Sequence, residues 1–427
     1  MPALRSAPVM TEPATPPLAP RINPLAAFRH RDYRLLFTAG FLSGNALQMR
    51  VLLNSLSIYR ITNQSELLLG LLGAFEAVPI LLFGMINASL TDIFNRKKIM
   101  IAVQALNILP PLTMGLLVLT GDGAFGHLRP WHIFAFTSLS AVSLTLEYPA
   151  RFGMLPRVVP NNVLLNAIAL NSVLGQIVFF TGPLLAGQAD RIGFGVLYLV
   201  SAGLYIPGMI AMLSIRASGK PEGERRKVSL TVIKEGYSFI RTQQVLWAAI
   251  MVDFLLVIVA YFRYYFPVLT EEVYHLDSTY LAWLNGAAAI GTALGIGTFL
   301  LISRSLPSGP LFLFAIAGHA LAFILVGAAP WFWMGITGAA AMGYTDQMSV
   351  IVRQNIVQKN TPDNMRGRAS GFMTVFATVG NGAGSTVAGL SADRLGPRLA
   401  LIGGGIAGLG VAAFSAIRWP ALRRVRD

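Results

Sequence analysis

The chain is 427 residues long, 54% hydrophobic and only 12% charged, with a mean hydropathy of +0.61 and a formal net charge of +14. Soluble domains carry about 25% charged residues, so this balance excludes an ordinary soluble enzyme. The absence of cysteine also excludes a disulfide frame, a cysteine metal site and a thiol nucleophile.

Residues 1–33 are Pro-rich over PATPPLAP (13–20) and read as a disordered cytoplasmic tail without a secretory leader. Twelve apolar spans follow, at 35–59, 66–90, 98–120, 131–155, 163–187, 194–215, 244–269, 278–303, 309–328, 331–355, 368–391 and 399–418. Each approaches the length of about 20 residues that crosses about 30 Å of hydrocarbon. A β-barrel would alternate in segments of about ten residues, and none occur. The expected fold is therefore an all-α integral membrane protein of twelve helices. Its divisions are an N-terminal bundle at 34–215, a linker at 216–243, a C-terminal bundle at 244–418 and a tail at 419–427.

The loops between spans alternate in charge. The second, SLTDIFNRKK (89–98), holds Asp92, Arg96, Lys97 and Lys98. Later even-numbered loops hold Arg157, Arg225, Arg226, Lys227, Arg304, Lys359, Arg366 and Arg368. Among the odd-numbered loops, TNQSE (62–66) has no cation and TEEVYHLDS (270–278) is acidic. The positive-inside bias then puts both termini in the cytoplasm and explains the net charge without nucleic acid. Within the long linker, Val228, Leu230, Val232, Ile233, Phe239 and Ile240 fall roughly on one helical face, predicting a short amphipathic helix on the cytoplasmic surface.

A charge inside the bilayer needs a partner or water, so each ionisable residue within a span is a candidate site. Arg50 and Glu76 fall near the middle of the first two spans, either as an ion pair or as groups that meet substrate or protons. Asp253, in the inner half of the seventh span, is a candidate proton carrier, or a group hydrogen-bonded to a neighbouring helix. Glu147 and Arg151 share a face at i, i+4 spacing, and Asp346 and Arg353 lie two turns apart on one face; both pairs suit a gate or scaffold. AYFRYYF (260–266), which includes Tyr261 and Arg263, reads as an interfacial aromatic belt or as an aromatic surface for an anion. There is no phosphate loop, His-Glu-x-x-His or Gly-x-Ser-x-Gly motif, and the five histidines lack metal-site spacing. No cofactor is implied.

The two halves repeat. VVPNN (158–162) recurs as NTPDN (360–364), Arg151 as Arg353 at the same offset, and AGQADRIG (186–193) as AGLSADRLG (388–396). Two six-helix halves in parallel repeat are a transporter architecture, rocking around a site near the midplane.

On these residues the chain resembles the major facilitator superfamily. SLTDIFNRKK is similar to that family's loop between helices two and three, with Leu90, Asp92, Arg96 and Lys97 matching and Ala88, Ile93 and Asn95 departing. FRHRDYRLLFTAGFLS (28–43), YPARFGMLPRVVPNNVLLNAIALNS (148–172) and TPDNMRGRASGF (361–372) are similar to bacterial exporters of the enterobactin-exporter type. The resemblance implies a monomer in the bacterial inner membrane that exports a drug-like compound or a siderophore against protons. It implies a gating role for Asp92, and the positions of the charged and aromatic residues in the spans add Arg96, Glu147, Arg151, Asp346 and Arg353 to that gate, Asp253 and Glu76 as proton-coupling candidates, and Arg50, Glu76, Asp253 and Tyr261 as candidate substrate contacts. The rivals are an importer, a lysophospholipid flippase of the same fold, or a non-transporting membrane receptor.

Overall fold

In the computed structural model the described part comprises residues 25–220, 237–302, 307–423 and 425, and it contains helices and no strands. The long helices are α1 (Arg31–Ile61), α2 (Glu66–Ile93), α3 (Arg96–Leu119), α4 (Pro130–Val158), α5 (Asn161–Ala186) and α6 (Phe194–Leu213). Then come α7 (Gln244–Val259), α8 (Ser278–Ile302), α9 (Ser308–Ala328), α10 (Phe332–Lys359), α11 (Asp363–Leu395) and α12 (Pro397–Arg418). Among the described residues, seven helices have both the length and the apolarity to cross a membrane. The helices α1, α4, α10 and α11 are at least 28 residues long and carry more polar residues along their length.

The helix ends follow local chemistry. Ser65 caps α2 by accepting from the Leu68 N–H at 3.3 Å, and Asn95 caps α3 by accepting from the Lys97 and Lys98 N–H groups. Lys97 donates through Nζ to the carbonyls of Leu213 and Ile215, so a cation from the basic loop closes the end of α6, where free carbonyls concentrate negative charge. Arg96 reaches the Gly153 carbonyl of α4 at 3.0 Å. The chain is folded from before the expected boundary at residue 34. Ala26–Arg29 form a short turn, Ala27 donates to Asn166 at 2.9 Å, and Tyr33 is buried. Most of the expected linker helix lies outside the described residues; residues 237–242 are helical and pack Tyr237 and Ile240 against Trp247 and Phe372.

Helices α1 to α6 pack chiefly on one another, with α6 on α1 and α3 and with α2 on α4. Helices α7 to α12 do the same, with α8 on α10, α9 on α10 and α12, and α7 on α11. Two seams join the groups, α2 against α11 and α5 against α8. The repeat has a structural counterpart at α6 and α12, which start from Gly193 (φ +98°) and Gly396 (φ +77°), a backbone turn that side chains rarely adopt.

The seventh span departs from a continuous helix. Helix α7 ends at Val259, residues 260–264 are not helical, and a short helix Tyr265–Val268 and a π-turn Leu269–Val273 follow. His319 of α9, buried at 2% exposure, lies 3.2 Å from the Ala260 carbonyl that the break releases, and its other ring nitrogen is 3.3 Å from the Thr345 hydroxyl. Broken helices survive at membrane depth where neighbouring groups take up the freed backbone atoms.

Glycine sets the spacing of α8 and α10. A Cβ on Gly291 would meet the Ala340 carbonyl, whereas one on Gly297 would meet nothing within 4 Å. Gly291→Ala therefore lowers the thermal unfolding midpoint of the purified protein, and Gly297→Ala leaves it unchanged or raises it, alanine being favoured over glycine in a helix by up to about 1 kcal/mol.

Candidate functional site: a central cavity sealed at one end

A cavity of about 380 Å³ lies between the two helix groups. Arg50, Asn54, Glu76, Tyr261, Arg263 and Asn285 are on its wall, brought there by α1, α2, the helix-seven break and α8. Arg50 is only 3% exposed; its Nη1 lies 3.5 Å from the Phe136 carbonyl, and Tyr205 is a second neutral hydrogen-bond partner. No carboxylate of a described residue lies within ion-pair distance of it. Arg50 and Glu76 thus share the cavity without the direct ion pair that was one reading of their positions. Asn54 donates to Thr137 at 3.1 Å and accepts from Tyr198 at 3.0 Å, which fixes the wall beside Arg50.

Arg263 sits in the break of helix seven, with its guanidinium 5.2 Å from the Phe179 ring centre of α5 and 5.1 Å from that of Phe262. Of the two readings of this segment, interfacial belt or anion surface, the second needs Arg263 at the cavity, and the break brings it to the cavity wall. Tyr261 is on the wall as expected. The lining thus carries two guanidiniums, one carboxylate and aromatic faces.

Asp253 is not on this wall. It forms a buried ion pair with Arg353 of α10, 2.7 Å from Oδ2 to Nη1, and accepts from the Ser349 hydroxyl at 3.4 Å. The pair borders a small crevice with Phe254, Val257 and Phe376. Arg353 therefore takes its acid from α7, about a hundred residues away in sequence, and not from Asp346 on its own helix. In the other half, the repeat-related Arg151 has no hydrogen-bond partner among the described residues at Nε or Nη2, and its guanidinium packs against Gly40, in the space a Cβ there would need. Glu147 accepts instead from Ser43 at 3.4 Å. The side chain of Asp92 lies outside the described residues.

One end of the molecule, the cation-poor end that the loop charges assign to the outside, is closed by a dense polar seam. Arg60 at the end of α1 pairs with Asp190, in the short helix Ala189–Ile192, and with Glu271 across the interface at 2.7 Å. Tyr59 donates to Glu272 at 2.7 Å and Tyr264 to the Glu66 carbonyl at 2.7 Å. The Ser278 N–H donates to Asp190 at 2.7 Å, and Ser385 donates to the Gly70 carbonyl at 2.8 Å. These hydrogen bonds between the two groups all lie at this end. Beneath it, Gly70 and Gly389 bring α2 and α11 into backbone contact, and a Cβ on Gly70 would meet the Gly389 Cα at 2.9 Å. The sequence reading missed this seam. Its signal was a lone Arg60 facing an acidic 270–278 loop.

A polar, charge-lined cavity between two helix groups, closed at one end and built around a broken helix, defines a membrane transporter. The chain belongs to the Major Facilitator Superfamily, whose family model matches residues 36–385, and it is a multi-pass membrane protein. It is 24% identical over 363 residues to the enterobactin exporter EntS of Shigella boydii serotype 4 (strain Sb227), covering 84% of this chain and 85% of that one. The same figures hold for EntS of Escherichia coli O1:K1 / APEC. Among solved structures, the fold is similar to a bacterial homologue of the human lysosomal transporter Spinster in its inward-facing, unoccupied conformation. There the TM-score is 0.71 at 17% identity, over 93% of this chain and 98% of that one. It is also similar to the nucleoside transporter NupG, with TM-score 0.72 at 12% identity over 92% and 100% of the two chains.

The Asp253–Arg353 pair gives a direct test of packing. Removing one partner of a buried pair strands the other and costs about 3–5 kcal/mol. Asp253→Asn and Arg353→Gln each lower the unfolding midpoint, and the double variant recovers much of the loss, as a double-variant thermal cycle reads directly.

Proposed function

We propose that the protein is a secondary active transporter that exports a small organic molecule, a siderophore or a drug-like compound, across the bacterial inner membrane in exchange for protons. In this reading it works as a monomer of twelve spans in two six-helix bundles, with both termini in the cytoplasm. The observation that carries the proposal is the cavity itself. Arg50 and Arg263 outnumber Glu76, and each lines the cavity without an acid bound to it. Bare charge in a low-dielectric site is unfavourable when the site is empty and dry, and a substrate of opposite charge relieves it. The aromatic faces beside Arg263 suit a planar ligand that stacks as well as pairs.

Alternating access supplies the mechanism. With the outer seam closed, the cavity takes substrate from the cytoplasm. Rocking of the groups opens the seam and closes the inner end. Asp92, Arg96, Glu147, Arg151, Asp346 and Arg353 are the proposed inner gate, and the unpartnered guanidinium of Arg151 supports contacts that form only in the other state. Glu76, on the cavity wall, is the first candidate for proton coupling because substrate and proton would compete there. Asp253, held by Arg353, is the second, and would act by releasing that arginine when protonated. The export direction rests on similarity to the enterobactin exporters.

Transport into inside-out proteoliposomes, energised by an imposed pH gradient and run across a panel of catecholates, carboxylates and cationic dyes, tests the proposal. The wild type accumulates at least one anionic aromatic compound when the lumen is acid. Glu76→Gln loses gradient-driven accumulation but keeps exchange of substrate for substrate. The double variant Arg50→Gln/Glu76→Gln folds and transports the anion at least tenfold more slowly while sparing dyes. Full anion transport by that double variant contradicts the ligand role of Arg50, and accumulation indifferent to the gradient contradicts proton coupling.

A further inference from the structure

The outer seam contains a second, chemically different contact beside the Arg60 pairs. Glu66 is the first residue of α2, and Glu272 lies in the π-turn that ends the broken seventh span, so the two belong to opposite helix groups. Their carboxyls are close neighbours across the interface, on either side of the Tyr59 hydroxyl that bonds Glu272. Glu66 is only 6% exposed, and its Oε2 is buried with no hydrogen-bond partner among the described residues. Glu272 receives the Tyr59 hydroxyl on Oε2, and the Tyr264 hydroxyl goes to the backbone carbonyl of Glu66 and not to its carboxyl.

Among the described residues, no free cation faces this pair. Tyr59 and Arg60 face it from α1, Tyr264, Tyr265 and Glu271 from the outer part of helix seven, and Asp393 from α11. Arg60 is engaged with Asp190 and Glu271. Two neighbouring carboxylates in a buried site repel each other. A single proton between them replaces that repulsion with a charge-assisted O–H···O⁻ hydrogen bond.

We infer that Glu66 and Glu272 form a proton-binding site between the two helix groups, occupied by one shared proton when the outer end is closed and emptied when it opens. Closure brings the carboxyls together and takes one proton from the outer solution. Opening separates them into water, where both ionise and the proton returns to that solution. The site is distinct from Glu76 and Asp253 and does not depend on which substrate is carried. It links closure to the pH of the outer compartment. The closed form binds one proton more than the open form, so acid favours closure and alkali favours opening, with a change in the open-to-closed ratio of up to about tenfold per pH unit.

Glu271 is the competing titratable group: burial pushes its carboxyl up, while its bonds to Arg60 pull against that. Variants separate the two. The chain has no cysteine, so a spin-label pair at Asp122→Cys and Trp331→Cys, in the outer loops of the two groups, reports the opening without background. Distance distributions are recorded in nanodiscs from pH 5 to pH 9 with no substrate and no gradient. The labelled parent should shift from short to long distances as the pH rises. Glu66→Gln and Glu272→Gln each supply a neutral amide donor to the remaining carboxylate. Each should stay at short distances and lose the pH dependence, while Glu271→Gln should retain it. A parent distribution that ignores pH, a dependence that survives in both Glu66→Gln and Glu272→Gln, or one abolished by Glu271→Gln alone overturns the inference. Because no transport is measured, these outcomes stand apart from success or failure of the export assay.

Discussion

Charge held among apolar helices governs this structure. Each ionisable side chain placed in a low-dielectric region needs an opposite charge, a backbone dipole or water, and the protein uses the first two in different places. Asp253 and Arg353 neutralise each other inside the second helix group. Lys97 spends its charge on the carbonyls that end α6. Arg50, Glu76 and Arg263 have no such settlement and border a cavity. Arg151 is also without an acid but lies off the cavity wall, so the cavity gathers most, not all, of the charge left over after the structural pairs have formed.

The closed end obeys the same constraint with a different outcome. Arg60, Asp190 and Glu271 are partly exposed and joined by short charge-assisted bonds. Contacts of this kind in partial contact with water are strong enough to select a state and weak enough to be exchanged. Backbone approach at Gly70 and Gly389 adds close packing without long side chains that would have to be withdrawn on opening. A seam made mainly of buried apolar area would be harder to part, and one made only of exposed ion pairs would not hold.

Much of the architecture was legible in the sequence because hydrocarbon imposes length and the membrane sorts cations. The apolar spans, the alternating loop charges and the half repeat all register in composition and spacing, and Arg50 and Glu76 were placed at the centre by counting along their spans. What stayed hidden depends on contacts distant in sequence. The break in VIVAYFRYYF (257–266) has one local mark, Pro267 just beyond it, which lacks a backbone donor and crowds the Arg263 carbonyl, but what holds it is His319 from α9. The partner of Arg353 was equally invisible, because Asp346 is the nearer acid in sequence and Asp253 the nearer one in space. The repeat predicted that Arg151 and Arg353 would sit alike, and they differ in whether an acid from another helix reaches them.

The central claim is that the cavity faces one side of the membrane at a time and that the outer seam decides which. Cysteine placed at Asn285, on the cavity wall, tests it most directly with a membrane-impermeant thiol reagent applied to oriented vesicles. The account predicts rapid modification of Asn285→Cys in inside-out vesicles and slow modification in right-side-out ones. It also predicts that this preference weakens or inverts when the seam is loosened by Arg60→Gln. Equal reactivity from both faces, or a preference unchanged by loss of Arg60, would contradict it.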